Sequence, residues 1–400
     1  MFKKIEGSTG QLIQFCAAYF VAYVIFGITS KWFPVIKGLN QIEYLVWSTI
    51  GGSLLCISWV LIRGWWKIDS IDKRALIYII FSGLCTAVVI PTTTMMYLLP
   101  ISVMVAMVIM RASLIIIGRA VDEIQIRQGI LKKKVYQEEN TAVLFALTAA
   151  GMQIFFVKPG DFDFIHNSAA ITILSCYLTA YALRIYIMNY YKNTRPVGTP
   201  LNNKWFFAIE QFSASIGIIL LSVFIINLPS IMNWTRPLVD ETAIVQSLNS
   251  TQSAETINPT VVAELAKKAR KEPVEQVYVF RDAFRIPEAK YLQKPNLTSL
   301  RFGAIGAGMV FGIAAFFSVF IFMFKGRTAT FANLSNRLTS LVAGTASTVI
   351  FAIFFKGKFP KITDWLSLLY IFIAVIYLAV AERKRIAEMK AARELIEEKK

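Results

Sequence analysis

The stretch Met107-Val-Ile-Met-Arg-Ala-Ser-Leu-Ile-Ile-Ile117 sets one arginine in an otherwise apolar run. Arg111 means one thing in a soluble core and another in a membrane, so the surroundings of the run decide the fold. The chain has 400 residues, 56% of them hydrophobic and 13% aromatic. A soluble domain must cover most of its exterior with polar groups and cannot hide that much apolar surface. Composition therefore points to a polytopic helical membrane protein.

Outward from Arg111, windows of mostly apolar residues repeat along the chain. A helix needs about 20 residues to cross a hydrocarbon core. Ten windows qualify: 12–33, 44–63, 75–98, 100–119, 141–158, 168–191, 205–228, 300–324, 329–355 and 363–381. The tightest connection is Leu98-Leu99-Pro100, which places Pro100 at the first helical position of the fourth span. The charged start and long apolar stretch of residues 1–27 lack a small-residue cleavage site and read as an uncleaved first helix.

The net charge of +17 raises the question of nucleic acid. The basic residues, however, cluster in short connectors between apolar runs, with no domain-sized basic surface interleaved with aromatics. They read as topology and contact with anionic membrane lipid, with no nucleic-acid partner. Lys and Arg number 23 on the side of both termini, against 6 in the short connectors opposite. The positive-inside rule then puts both termini in the cytoplasm, and a bacterial inner membrane is the expected location. The four cysteines lie in apolar runs without CxxC spacing, and the single histidine, His166, lies in a loop. No metal site and no cofactor is expected from them.

Residues 229–299 break the pattern. This segment is polar, holds Pro237, Pro259, Pro273, Pro287 and Pro295, and is nearly charge-balanced. It is expected outside the cell as a polar insert, either a small lid-like subdomain or a flexible insertion. Asn233, Asn249 and Asn296 begin Asn-x-Ser/Thr sequons there, which matter only in a eukaryotic secretory pathway. Residues 383–400 read as a basic, solvated cytoplasmic helix continuing the last span.

Three stretches carry a resemblance: "LLPISVMVAMVIMRASLIIIGRAVDE" in the fourth span, "NLSNRLTSLVAGTASTVIFAIFFKGKFPKITDW" in the ninth and "LSLLYIFIAVIYLA" in the tenth. They look like the drug/metabolite transporter superfamily, especially its nucleotide-sugar and sugar-phosphate transporter-like branch. Residues 229–299 depart from that family's compact pattern. The resemblance implies an all-α fold of two inverted five-helix repeats, residues 1–160 and then 161–228 with 300–382, around a cavity open alternately to either side. Under that division the fourth span pairs with the ninth. Each holds one internal arginine followed by hydroxyl side chains: Arg111 with Ser113, and Arg337 with Thr339 and Ser340. Arg111 lies roughly 16 Å down from Pro100 and Arg337 roughly 12 Å up from Ala329, so both approach the middle of a core about 30 Å thick.

A lipid-facing arginine at that depth costs at least about 2.5–3.5 kcal/mol, so each is expected to face a cavity or a partner. Structural pairing with a buried acid or carbonyls is one role; recognition of a carboxylate or phosphate is the other, and the favoured one. Asn333, Asn336, Arg337, Ser340, Gly344 and Ser347 share one face of the ninth span, suited either to substrate or to helix packing. The candidate substrate-binding set is Arg111, Ser113, Asn333, Asn336, Arg337 and Ser340. Arg184, about 24 Å into the sixth span, is expected to snorkel to the surface as an anchor, with a place in a cytoplasmic vestibule as the alternative. Glu210, five residues after Trp205, is expected near the interface, as a coupling carboxylate or the partner of an arginine. Both are candidates for coupling or gating. Pro91 in "VIPTTTMMY" is expected to kink the third span, with Thr92 to Thr94 satisfying freed backbone or facing substrate.

The expected function is secondary transport of an organic anion, such as a phosphorylated metabolite, by alternating access. Export or flipping of lipid-like compounds is the alternative within transport. A membrane-embedded transferase or a non-transporting scaffold using the insert is the alternative from another class. The sequence offers an enzyme no His-anchored constellation and no metal-spaced acidic cluster, so catalysis is not expected.

Overall fold

A computed structural model describes residues 9–67, 73–130, 136–155, 162, 164, 166–194, 203–238, 244–246, 248, 259–269, 272–284, 297–322 and 329–397. Among these residues the chain is all helical, with no strand. The long helices are α1 (Thr9–Lys31), α2 (Gln41–Ile62), α3 (Lys73–Leu98), α4 (Val103–Arg127), α5 (Gln137–Phe155), α6 (Ser168–Asn193) and α7 (Asn203–Ile231). Two short helices follow, α8 (Pro259–Ala269) and α9 (Pro273–Ala283), and then α10 (Leu297–Phe322), α11 (Ala329–Phe355) and α12 (Ile362–Glu397). Side-chain caps start several of them. Asn40 accepts from the Ile42 amide (2.8 Å), Ser102 from Val105 (3.1 Å) and Asn167 from Ala170 (2.9 Å), each relieving a donor that a first helical turn leaves unpaired.

Nine helices are long and apolar enough to cross a membrane, counted among the described residues: α1 to α4, α6, α7 and α10 to α12. The chain is on this evidence a multi-pass membrane protein. The expected tenth span, α5, forms as a helix but does not meet that standard. It opens on Gln137-Glu138-Glu139-Asn140, and residues 156–158 of the expected span lie outside the described residues. The start of α4 also differs from expectation. Pro100 sits in the turn, and the helix begins only at Val103 behind its Ser102 cap. A side-chain oxygen at the cap outcompetes a proline, which removes a donor but supplies no acceptor. The end of α3 is sealed from outside, by Lys31 Nζ on the Leu99 carbonyl (2.6 Å) and Gln41 Nε2 on that of Leu98 (3.0 Å).

The bundle is built from neighbouring pairs. α2 lies on α10, α3 on α7 and α6, α1 on α10 and α11, α4 on α6 and α11, and α5 on α12 and α4. Small residues let two of these pairs approach closely. A Cβ on Gly308 would lie 1.9 Å from the Ser48 carbonyl oxygen, and one on Gly51 would lie 2.0 Å from that of Ile305. Across α3 and α7, a Cβ on Gly83 would meet Ser213 Cβ at 2.5 Å and one on Gly217 would meet Ala87 Cβ at 2.8 Å. Such close backbone approach gains dispersion contacts where the hydrophobic effect between helices is absent.

α3 continues through Pro91. Thr92, Thr93 and Thr94 donate to the carbonyls of Val88, Val89 and Ile90. The carbonyl freed by proline is one residue earlier, at Ala87, so the threonines reinforce the following turn.

α12 runs on past the last span, and among residues 383–388 all but Arg385 are exposed, with acidic and basic side chains tying the extension to the start of α5. Arg385 donates to Glu139 (3.0 Å) and pairs with Glu382, Tyr136 donates to Glu388 (2.8 Å), and Lys384 pairs with Glu138. At the other end of the same antiparallel pair, Gln153 donates to Asp364 (3.2 Å) and Ser367 (3.0 Å). The bond from Lys384 holds the Glu138 carboxyl below its ordinary range. Because the Lys384 side chain is half exposed, Lys384→Ala is expected to leave thermal melts in detergent almost unchanged. Arg236, just beyond α7, holds α9 through Glu275 (2.8 Å) and Asp282 (2.8 Å). The bond to Glu275, more than any other influence, raises its guanidinium further above its usual range.

Candidate functional site

Arg111 lies in a polar region inside the bundle. It is 4% exposed, on α4, between two pairs of tyrosines one helical turn apart. Tyr19 and Tyr23 come from α1 with rings 4.8 Å apart, and Tyr177 and Tyr181 from α6 with rings 5.2 Å apart. An i, i+4 spacing puts both members of each pair on one helix face. Arg111 Nη2 donates to the Tyr23 hydroxyl (3.1 Å), and the guanidinium carbon lies 5.8 Å from the Tyr23 ring centre. Its Nε is buried with no hydrogen-bond partner.

These side chains border a partly open cavity within the bundle. Its polar wall is made by Arg111, Arg184, Thr86, Thr93, Gln211 and Ser318, alongside the four tyrosines; Phe311 and small apolar residues supply the rest. A concave site with a few convergent polar groups on an aromatic wall is the usual form of a small-molecule site.

The arginines differ in what neutralises them. Arg184 Nε donates to Glu210 Oε1 at 2.8 Å, and the same oxygen accepts from Ser82 (2.9 Å) and Thr86 (3.1 Å). Glu210 is fully buried and Arg184 is 7% exposed, so the pair is internal. The expectation of a snorkelling Arg184 is corrected here, and Glu210 is the partner of an arginine, one of its two expected roles. Two opposite charges that meet inside, with hydroxyls on the carboxylate, need no route to the surface. Arg111, by contrast, has a phenol as its partner.

Arg337 is also 4% exposed, and its Nε and Nη2 have no hydrogen-bond partner. Its guanidinium lies against α4 at Gly118, where an added Cβ would be 3.2 Å from Nη2. Gly118 is seven residues past Arg111, about 10 Å along the helix. Arg337 is therefore not in the wall of the Arg111 cavity; from α11 it packs against a point further along α4. The two arginines remain within electrostatic reach of each other and of Tyr177, and Asp122 is within reach of Arg337. Because α4 and α11 are antiparallel and side chains lean toward their helix N-terminus, the two guanidinia lean apart.

The other expected site residues serve that framework. Asn336 donates to Ser318 Oγ (2.7 Å), tying α11 to a residue of the cavity wall. Ser340 donates to the Arg337 carbonyl (2.9 Å) and contacts Tyr19. Ser113 is half-buried, away from the cavity wall. Asn333 belongs to α11, with its side chain outside the described residues. Gly344 lies against Met107, and Ser347 donates to Ala343 (2.7 Å) and across to Val24 (3.2 Å), so that end of the polar stripe packs helices.

Sequence reasoning missed the tyrosines. Their signal was present as a repeated Tyr-x-x-Ala-Tyr, at residues 19–23 and again at 177–181. Compared with protein-family models and with curated proteins, the chain matches none.

Proposed function

We propose that the chain is a secondary transporter of organic anions, working by alternating access in an arrangement like that of the drug/metabolite transporters. The observation that carries this reading is Arg111: a buried guanidinium on a cavity, with a tyrosine hydroxyl where a counter-charge would stand. A cation so placed is costly to hold and gains most from an incoming anion. The flanking tyrosines and Phe311 favour a ligand with a flat organic body.

Two inverted repeats, α1–α5 and α6, α7 with α10–α12, are part of the proposal. Exchanging the halves turns the α2–α10 contact into α7–α3, α1–α10 into α6–α3, and α1–α11 into α6–α4, all of which occur. The members of the pairs α4–α11 and α5–α12 run antiparallel, as inversion requires. Arg111 and Arg337 each stand eight residues into their helices, and the tyrosine pairs fall on α1 and α6. Under this reading all ten long helices cross, both termini are cytoplasmic, residues 229–299 lie outside, and the charge balance suits a bacterial inner membrane.

The test is a thermal-shift comparison of benzoate, benzenesulfonate and phenyl phosphate with uncharged analogues, followed by uptake into proteoliposomes. Arg111→Ala is expected to weaken binding about 10- to 100-fold, the worth of a charge-assisted bond. Arg337→Ala, off the cavity wall, is expected to slow transport more than it weakens binding. Parent-like binding and uptake in both variants overturns the site.

A further inference from the structure

The Arg184–Glu210 pair stands one hydrogen bond behind the cavity and is not needed to explain anion recognition by Arg111. Arg184 and Thr86 line the cavity, and both bond directly to Glu210. The carboxylate is asymmetric. Oε1 accepts from Arg184, Ser82 and Thr86, whereas Oε2 is buried with no partner. Arg184 commits Nε to Glu210, which leaves its terminal nitrogens for a ligand in the cavity.

We propose that Glu210 is the coupling group: it takes up one proton when a substrate anion engages Arg184, so that anion and proton cross together. This rests on the anion-carrier reading above. An anion at Arg184 puts two negative charges on one buried guanidinium, and the arrangement relaxes when one of them is neutralised. A proton from cavity water settles on Oε2, the oxygen without a partner. Oε1 then serves as the carbonyl oxygen, still accepting from Ser82 and Thr86. The site holds one positive and one negative charge before and after, so loading adds no net charge to the buried pair.

The other groups facing Glu210 fit a proton better than a metal cation. α6 brings Arg184 and Tyr181, whose ring centre is 5.8 Å from the Arg184 guanidinium carbon. α3 brings Cys85, within electrostatic reach of both members of the pair. α2 brings the Cys56 thiol, which is turned to the Gly312 carbonyl of α10, and α10 brings Ser318 to the cavity. On α9, Glu275 and Asp282 are held by Arg236 beyond the far end of α7. A guanidinium 2.8 Å from the carboxylate repels a sodium ion from the same oxygens but leaves room for a proton.

The experiment uses the full chain in weakly buffered detergent solution with a pH-indicator dye. The probes are benzoate and benzenesulfonate, both fully ionised at mildly acidic and mildly alkaline pH. The parent is expected to take up about one proton per anion bound, with affinity rising as pH falls, by up to about tenfold per pH unit. Glu210→Gln is expected to bind either probe with no proton uptake and no pH dependence, and replacing sodium with choline to change nothing. Binding without proton uptake in the parent, uptake retained in Glu210→Gln, or a sodium requirement overturns the coupling role and leaves the anion reading standing. Failure of both probes to bind the parent overturns the anion reading and this proposal with it. Should Glu210→Gln not fold, infrared difference spectra decide: a protonated-carboxyl band must appear on binding and move in Glu210→Asp. Absence of that band, or a band that stays in place, overturns the proposal.

Discussion

Glu210→Ala is expected to destabilise the unliganded protein by about 3–5 kcal/mol, the usual cost of stripping a buried ion pair of one partner. The loss is not the worth of the Arg184–Glu210 attraction. It arises because Arg184 stays behind, 7% exposed, with its Nε acceptor gone and the Ser82 hydroxyl also left without one, while Thr86 keeps the Ser82 carbonyl. Replacing both charges together is expected to restore most of the loss, since an apolar pair of similar volume avoids the desolvation cost of both ions. Arg184→Met with Glu210→Leu should therefore melt closer to the parent than Glu210→Ala does. Melting of the three proteins in one detergent checks this. Equal melting of Glu210→Ala and the parent would show that the pair carries no such burden. Arg111→Ala removes a cation whose partner is a phenol, and is expected to leave stability unchanged or raised while weakening anion binding.

What the sequence made legible follows from what membranes demand of every residue. Apolar windows place helices because unpaired backbone is intolerable in lipid, and that requirement is local. It was therefore readable for the nine apolar helices, whereas α5, expected as a span on equal terms, opens on a polar turn that finds its partners on α12, 246 residues away. Arg111 and Arg337 were legible because an arginine in an apolar run has few inexpensive positions. Their surroundings were not. Depth along one helix could be counted from its ends, but the stagger between α4 and α11 depends on how Gly344 seats against Met107 and on Thr348 accepting the Met104 amide (2.9 Å). Distance from a helix end misjudged Arg184 for the same reason. Alone it reads as a surface anchor, and only the packing of α3, α6 and α7 brings it to Glu210, whose partner in the sequence was an unspecified arginine. The tyrosines were hidden differently. An aromatic pair at helical spacing is ordinary in a membrane, and only its recurrence in the two halves distinguishes it.

Gly308→Ala is expected to cost about 3 kcal/mol, at the upper end of overpacking penalties, although alanine is the better helix former. The methyl would stand 1.9 Å from the Ser48 carbonyl oxygen, a backbone atom that no rotamer change can move. α2 and α10 must then separate, and the neighbouring contact of Gly51 with Ile305 opens with them. Gly306, two residues away, has nothing within 4 Å of an added Cβ and is exposed. Gly306→Ala is thus expected to be neutral or stabilising by up to about 1 kcal/mol, and the pair of variants separates crowding from propensity. The α3–α7 seam adds a functional contrast. At Gly83 the methyl would press on Ser213 Cβ at 2.5 Å and on the Glu210 carbonyl oxygen at 2.7 Å. Moving α7 there also moves the Glu210 side chain away from Ser82, one residue before Gly83. Gly83→Ala is accordingly expected to impair both stability and the proton uptake that accompanies anion binding, whereas the Gly308→Ala protein that does fold should retain that uptake. Thermal melts and the dye assay on the two variants measure both quantities. Equal loss of uptake in the two would mean that the seams act on the site through the whole bundle, not through the helix that carries Glu210.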